Sequence, residues 1–264
     1  MKLSVITVNL NNKSGLQKTI ESVVSQTHRD IDWIIIDGGS TDGSRELIEE
    51  YADYLSYWVS EPDHGIYNAM NKGIRASCGE YLLFLNSGDY LYDKDVLHNV
   101  IPLLLDKDFY VGDIEGGGCI SSPKLDSASD ICAILTYTSL PHQSTFTSRR
   151  VFGRYGIFRE NILIASDWWI SFQALILGNA SVGKLPLTIA VRDMTGISTV
   201  RSDLLAAERE KLLSELPRIQ YISNFYRDNL EIVTALKSSR LIFFIFRIYF
   251  YFYRKYKMQN EESR

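Results

Sequence analysis

Apolar residues along the chain fall into short β-rich runs that alternate with stretches of helical period. Leu3 to Val8 is the first run, closed by polar Asn9-Leu10-Asn11-Asn12. Ser14 with Gln17 then forms a capping-box pattern, and Leu16, Ile20, Val23 and Val24 recur at helical spacing. Trp33 to Ile36 is the second run; Asp37-Gly38-Gly39-Ser40-Thr41-Asp42-Gly43 ends it, and Leu47, Ile48 and Tyr51 resume a helical period. Tyr57 to Val59 predicts a third strand, Ile66 to Ile74 a helix with Met70 and Ile74 on one face, and Tyr81 to Leu85 a fourth strand buried on both sides. Such alternation predicts a parallel sheet with crossover helices. Ligands of open sheets sit beyond the carboxyl ends of the strands, so a site is expected where the loops after Val8, Ile36, Val59 and Leu85 converge.

Beyond Phe109-Tyr110-Val111 the pattern loosens. Gly116-Gly117-Gly118 and a Ser-rich stretch to Ser129 show no clear period and predict a flexible loop over the site. Helical signals return at Arg149 to Tyr155 and at Asp167 to Leu177, followed by a strand around Leu187 to Val191 and a charged helix from Ser202 to about Glu215. A length of 264 residues suits one main domain, at the usual ~100–200 residues per domain.

Composition changes this picture mainly at the end of the chain. The overall formal charge is −4, yet Lys237 to Arg264 holds seven basic residues against two acidic ones. Leu241 to Phe246 and Ile248 to Tyr253 are apolar-aromatic blocks split by Arg247, short of the ~20 residues that span a bilayer. On a helix Arg240, Arg247 and Arg254 lie nearly on one line, with Phe243, Phe244, Phe250 and Tyr251 on other faces. That arrangement suits an in-plane helix at an anionic membrane surface, through residues 237–257; a core-packing or dimerising helix has the same amphipathicity. The acidic body and apolar tail speak against nucleic acid as a partner. Cys78, Cys119 and Cys132 form no CxxC pair, which argues against a disulfide framework or structural zinc and for a reducing, cytoplasmic compartment. The apolar start of the chain is too short for a secretory signal.

Three stretches carry candidate chemistry. Asp37-Gly38-Gly39 places a carboxylate at the sheet's edge, with glycines that let the backbone approach a ligand; the same residues suit a turn and helix cap. Ser60-Glu61-Pro62-Asp63-His64-Gly65-Ile66-Tyr67-Asn68-Ala69-Met70-Asn71-Lys72-Gly73 is far more polar than a connector needs, although Asp63 and Asn71 could simply cap the helix while Tyr67 and Met70 supply core. Phe84-Leu85-Asn86-Ser87-Gly88-Asp89 delivers Asn86 and Asp89 together, oxygen ligands that suit a hard divalent cation sharing its shell with phosphate.

In this order and spacing, these stretches resemble the inverting glycosyltransferases of family two over roughly residues 1–200. The similarity is strongest to the bacterial subgroup of colanic acid and O-antigen transferases, for which the Ser60 to Gly73 stretch is a marker. The resemblance implies the GT-A fold: an α/β architecture with a mostly parallel Rossmann-like sheet flanked by helices, and C-terminal amphipathic helices. It implies a catalytic domain over 1–215 and a membrane-associating segment over 216–264. Asp37, Thr7, Asn9, Asp63 and Asn71 would bind the donor's nucleotide, and Asp89 a Mg²⁺ or Mn²⁺ ion, with Asn86 and Gly88 where the family's metal motif usually has acids. Asp167, in Ala165-Ser166-Asp167-Trp168-Trp169, would be the catalytic base, with Ser166 replacing the first acid of the family's pair. Asn86, His142 and Gln143 would contact donor or acceptor. A helix cap explains Asp167 equally, and histidines such as His142 are often structural. The implied partners are a nucleotide sugar, with UDP favoured over GDP or dTDP, and a lipid-linked glycan on the inner face of the plasma membrane. A sugar nucleotidyltransferase would need a Gly-rich basic loop where Leu10 to Gly15 offers only Lys13, and a noncatalytic sugar-binding module would show no turnover.

Overall fold

The computed structural model describes residues 3–196 and 201–216, so the expectations for the basic aromatic tail over 237–257 and, Leu216 apart, for the segment over 216–264 lie outside the described residues. Strand β1 (Leu3–Asn9) leads into helix α1 (Lys13–Val24), β2 (Ile31–Asp37) into α2 (Ser44–Glu50), and β3 (Tyr57–Ser60) into α3 (Ile66–Ala76). Next come β4 (Tyr81–Phe84), the short β5 (Tyr90–Leu91) and α4 (Val96–Val100). The second half comprises β6 (Phe109–Gly116), β7 (Cys119–Ser121), α5 (Ala128–Tyr137), β8 (Thr145–Ser148), α6 (Arg149–Tyr155), α7 (Ser166–Phe172), β9 (Val182–Val191) and α8 (Ser202–Ser214).

All these strands join one sheet in the order β3-β2-β1-β4-β8-β6-β9-β5, with β7 paired to β6. The first four run parallel, because each is separated from the next by enough chain for a crossover. Their apolar residues alternate between two cores: Val5, Trp33, Ile35 and Leu83 face one layer, and Ile6, Ile34, Ile36 and Phe84 the other. Burial on both faces explains why β1, β2 and β4 are near-continuous apolar runs, whereas β3 is a partly exposed edge strand.

The second half is mixed. β8 runs antiparallel to both neighbours, β4 and β6, while β6 and β9 are parallel. Strand direction is not written in the period of a segment buried on both faces, so the reading of parallel alternation extends only to β4. The flexible loop expected after Val111 is also corrected. Gly117 (φ 61°) and Gly118 (φ 79°) form the two-residue turn of a β6–β7 hairpin, a geometry that demands left-handed backbone at both positions. Helix α5 follows, opened by a reciprocal cap in which Asp130 N–H donates to Ser127 Oγ at 3.2 Å and Ser127 N–H donates to Asp130 Oδ2 at 3.0 Å. At α1 the cap is Asn12, whose Oδ1 accepts from Gly15 N–H at 3.1 Å, and Ser14 lies inside the first turn.

No helix among the described residues is long and apolar enough to cross a membrane. Helix α3 lies directly on β1 and β2, and closest at Gly73, where a Cβ would come within 2.4 Å of Ile6 Cγ2. Because Ile6 is fully buried and cannot move away, Gly73→Ala is expected to destabilise the protein by about 1–3 kcal/mol in urea unfolding, despite alanine's better helix propensity.

Candidate active site

The sheet register gathers polar groups at one rim. Asn9 pairs with Asp37 and Asp37 with Ser60 at the carboxyl ends of β1, β2 and β3. Asp37 is fully buried and accepts four hydrogen bonds: from Asn9 Nδ2 (2.7 Å), Ser40 Oγ (2.6 Å), Ser40 N–H (2.9 Å) and Ser60 Oγ (2.7 Å). Burial pushes its pKa up, but these donors outweigh it and hold the carboxyl below its ordinary value. Asp37 therefore organises the loop as an ionised hub, with its acceptor sites filled from within the protein.

A cavity of about 300 Å³ opens beside this hub. Asn9 and Asp63 line one part of it. Asn9 is only 4% exposed and its Oδ1 has no hydrogen-bond partner, an arrangement that a ligand donor would complete. Asp63 accepts from Gly65 N–H at 2.9 Å and leans over Gly38, where a Cβ would meet Asp63 Oδ2 at 2.6 Å.

Three residues expected at the nucleotide do not line this cavity: Asp37, whose acceptor sites are filled as described, Thr7 and Asn71. Thr7 is fully buried and its hydroxyl accepts from Trp33 Nε1 at 3.2 Å. Asn71 is also fully buried and ties α3 to the chain beyond α6: its Nδ2 donates to Phe158 O (2.9 Å) and Glu160 Oε1 (2.8 Å), and its Oδ1 accepts from Phe158 N–H (3.0 Å). Their side chains are occupied by the fold.

The remaining candidates converge. Asp167, in the first turn of α7, accepts from Tyr67 Oη at 2.8 Å and lies 3.3 Å from His142 Nδ1. His142 Nε2 is in turn 3.3 Å from Asn86 Nδ2, and Asn86 Oδ1 is buried without a partner. The His142 and Asp167 side chains keep 23% and 19% of their exposure, so the pair is sheltered but reachable. Burial raises the Asp167 pKa, yet His142 and Tyr67 more than offset this and the carboxyl is lowered below its ordinary value. Burial pulls His142 down, whereas its bond to Asp167 and the Asp89 charge lift it above the ordinary value. Tyr67 is pushed up strongly by burial and by Asp167, so it remains a donor.

Asp89 is 5% exposed and its pKa is raised by burial. It accepts from Asp193 N–H at 2.9 Å and from the Gln143 side chain. A Cβ on Gly88 (φ 102°) would lie 2.6 Å from Asp193 Oδ2, so Gly88 leaves room for a second carboxylate beside Asp89. No group of three or more His, Cys, Asp or Glu side chains forms a cation site among the described residues. The donors present, two neighbouring carboxylates, fit a Mg²⁺ or Mn²⁺ ion that takes the rest of its shell from water and phosphate. Arg192 is the one Lys or Arg side chain lining the cavity among the described residues, and its Nε has no partner.

Arg192 and Asp193 were not expected from the sequence, and Tyr67 was singled out there only as core, in the alternative to a binding role for the Ser60 to Gly73 stretch. The signal for the first two was available: a charged pair directly follows the last apolar run, β9, which ends at the same rim as β4 and β6. For Tyr67 the signal was its place in the Ser60 to Gly73 stretch, but a tyrosine on an apolar helix face reads by itself as packing.

Residues 4–148 match the model of glycosyl transferase family 2, and the chain belongs to that family. An uncharacterised glycosyltransferase of Mycobacterium tuberculosis is 33% identical over 210 residues, covering 75% of this chain and 78% of its own. Among solved structures, Staphylococcus aureus TarS in complex with UDP-GlcNAc superposes with a TM-score of 0.64 at 18% identity, covering 85% of this chain and 67% of that one. The mannosyltransferase PcManGT of Pyrobaculum calidifontis, in complex with GDP-Man and Mn²⁺, gives 0.62 at 16% identity, covering 85% and 69%. The α/β fold is thus that of the GT-A glycosyltransferases.

Because Asn71 is held at both polar atoms by Phe158, Asn71→Ala leaves a buried N–H and C=O unpaired. We expect a stability loss of about 2–4 kcal/mol in urea unfolding, with nucleotide affinity of the folded fraction unchanged. A selective loss of nucleotide binding at wild-type stability would restore Asn71 to the binding site.

Proposed function

We propose that the chain transfers a sugar from a nucleotide-sugar donor to an acceptor hydroxyl by a single inverting displacement, with Asp167 as the proton acceptor. The observation that carries this reading is the Asp167 carboxylate, kept ionised by Tyr67 and His142 in the cavity that Asn9, Asp63, Asp89 and Arg192 also line. In the reaction the acceptor oxygen bonds to the anomeric carbon as the bond to the diphosphate oxygen breaks, and the hydroxyl proton passes to Asp167. Arg192 would take the diphosphate charge, and Asn9 Oδ1 and Asp63 would accept from donor groups of the nucleoside. A divalent cation held by Asp89 and Asp193 would supply further charge neutralisation of the leaving diphosphate. UDP is the favoured nucleotide, supported by the UDP-GlcNAc complex of TarS, with GDP or dTDP as alternatives.

A lipid-linked glycan acceptor in the synthesis of a bacterial surface polysaccharide, met at the inner face of the plasma membrane, fits the basic aromatic stretch over 237–257. This part of the reading rests on the sequence alone.

Asp167→Asn keeps an acceptor for Tyr67 but cannot take a proton. With UDP-hexoses as donors, alkyl glycosides as acceptors and Mn²⁺ present, it is expected to lose transfer by about 100-fold or more while UDP still raises its melting temperature. Undiminished transfer would remove Asp167 from the mechanism, and no turnover in either protein would favour a binding module.

His142 gives the pH dependence. Its pKa is raised, so below that value the imidazolium holds Asp167 as an ion pair and weakens it as a base. Transfer should therefore rise with pH on the acid side with a midpoint above about 6.5, and His142→Gln should abolish that limb. The same shift stabilises the fold: the contribution is complete below the unfolded histidine value of about 6.5 and is lost as pH rises through the folded one. A wild-type rate profile in His142→Gln would contradict the assignment.

A further inference from the structure

Helix α8, read from sequence as a charged helix, buries one of its acids. Glu208 is 8% exposed, and its carboxylate accepts three consecutive backbone N–H groups: Leu163 (2.6 Å), Ile164 (2.9 Å) and Ala165 (3.1 Å). Ala165 is the residue that caps α7, and its carbonyl accepts the Trp169 N–H at 2.9 Å. Asp167 follows two residues later. The three amides precede a helix and belong to no strand, so without Glu208 those of Ile164 and Ala165 would be buried donors lacking a partner.

The rest of α8 presses on the same region. Leu212 is fully buried, Arg209 stacks 5.0 Å over Trp168 and donates to Thr138 O at 2.7 Å, and Glu215 pairs with Arg159 at 2.8 Å. Leu205 of α8 lines the cavity together with Leu163 and Ile164, the residues whose amides Glu208 holds. One carboxylate thus fixes both an apolar wall of the cavity and the start of the helix that carries Asp167.

We propose that Glu208 is a positioning residue that clamps residues 163–165, and through them sets Asp167 against His142 and fixes the apolar wall on which an acceptor would lie. The inference rests on the reading of Asp167 as proton acceptor. It assigns no contact between Glu208 and substrate. The acceptor class it implies carries an apolar group beside the attacked hydroxyl, since Leu163, Ile164 and Leu205 offer such a group no hydrogen bonds.

The test uses the full chain and reads His142, which is faced by Asp167, Asp89 and Arg192. Its titration midpoint, followed by NMR, reports whether Asp167 is in place, and Asp167→Asn supplies the displaced limit. Glu208→Ala should move the midpoint down by about half a unit or more toward that limit and slow transfer about tenfold, with UDP affinity within about twofold of wild type. Glu208→Gln keeps one acceptor oxygen and should fall between the two. Glu215→Ala removes the pair with Arg159 without touching the clamp and should leave the midpoint in place. A folded Glu208→Ala protein with wild-type midpoint and rate overturns the proposal, as does an equal shift in Glu215→Ala. Should Glu208→Ala not fold, a wild-type midpoint in Glu208→Gln overturns it. An Asp167→Asn protein that keeps transfer defeats the base assignment instead, and the midpoints then decide the clamp alone.

Discussion

A carboxylate withdrawn from water protonates unless donors replace the lost hydration. Asp167 meets this constraint through one phenol and one imidazole, which come from α3 and from the turn before β8. Both donors lie far from it in sequence, so the geometry exists only when α3, α7 and the turn at His142 pack together. Tyr67, His142 and Asp167 are thereby a readout of the whole fold. Small shifts in any of these elements change how strongly Asp167 is held, and hence how well it could serve as the proposed proton acceptor.

The same rim handles a second carboxylate differently. Asp37 is saturated by four short hydrogen bonds and serves to fix the β1 and β2 loops, whereas Asn9 beside it is left with a free acceptor. Asp89 is neither saturated nor paired with a cation, and burial raises its pKa. Three acids near one rim are thus set apart by their surroundings: Asp37 is a saturated hub, Asp167 is the proposed proton acceptor, and Asp89 is a buried acid whose pKa is raised. Arg192 adds a cation whose Nε is unpartnered, which an incoming diphosphate would complete.

Much of this arrangement was legible in the sequence, and the reasons are local. Strands β1, β2 and β4 announce themselves as apolar runs because both faces are buried, and their polar ends mark the rim. Asp89, Asn86, His142 and Asp167 all reach the cavity as expected. Thr7 and Asn71 belong to the same polar stretches but turn inward, because a side chain's direction depends on partners such as Trp33 and Phe158 that lie elsewhere in the chain. The antiparallel strand β8 went unread altogether, since Thr145-Phe146-Thr147-Ser148 holds one apolar residue in four and forms no apolar run. Glu208 was hidden by its neighbours: on a helix rich in charge, nothing local separates the one acid that turns inward. The turn at Gly117-Gly118 and the Ser127–Asp130 cap were present as signals and were read as a loop because no apolar period accompanied them.

A crystal structure with UDP and Mn²⁺ bears most directly on the central claim that one cavity binds the donor and holds its base. It should show the nucleoside against Asn9 and Asp63, the diphosphate against Arg192 and Asp89, and Asp167 free of the nucleotide with its Tyr67 bond intact. Nucleotide density outside this cavity, or a diphosphate bound away from both Arg192 and Asp89, would contradict the account.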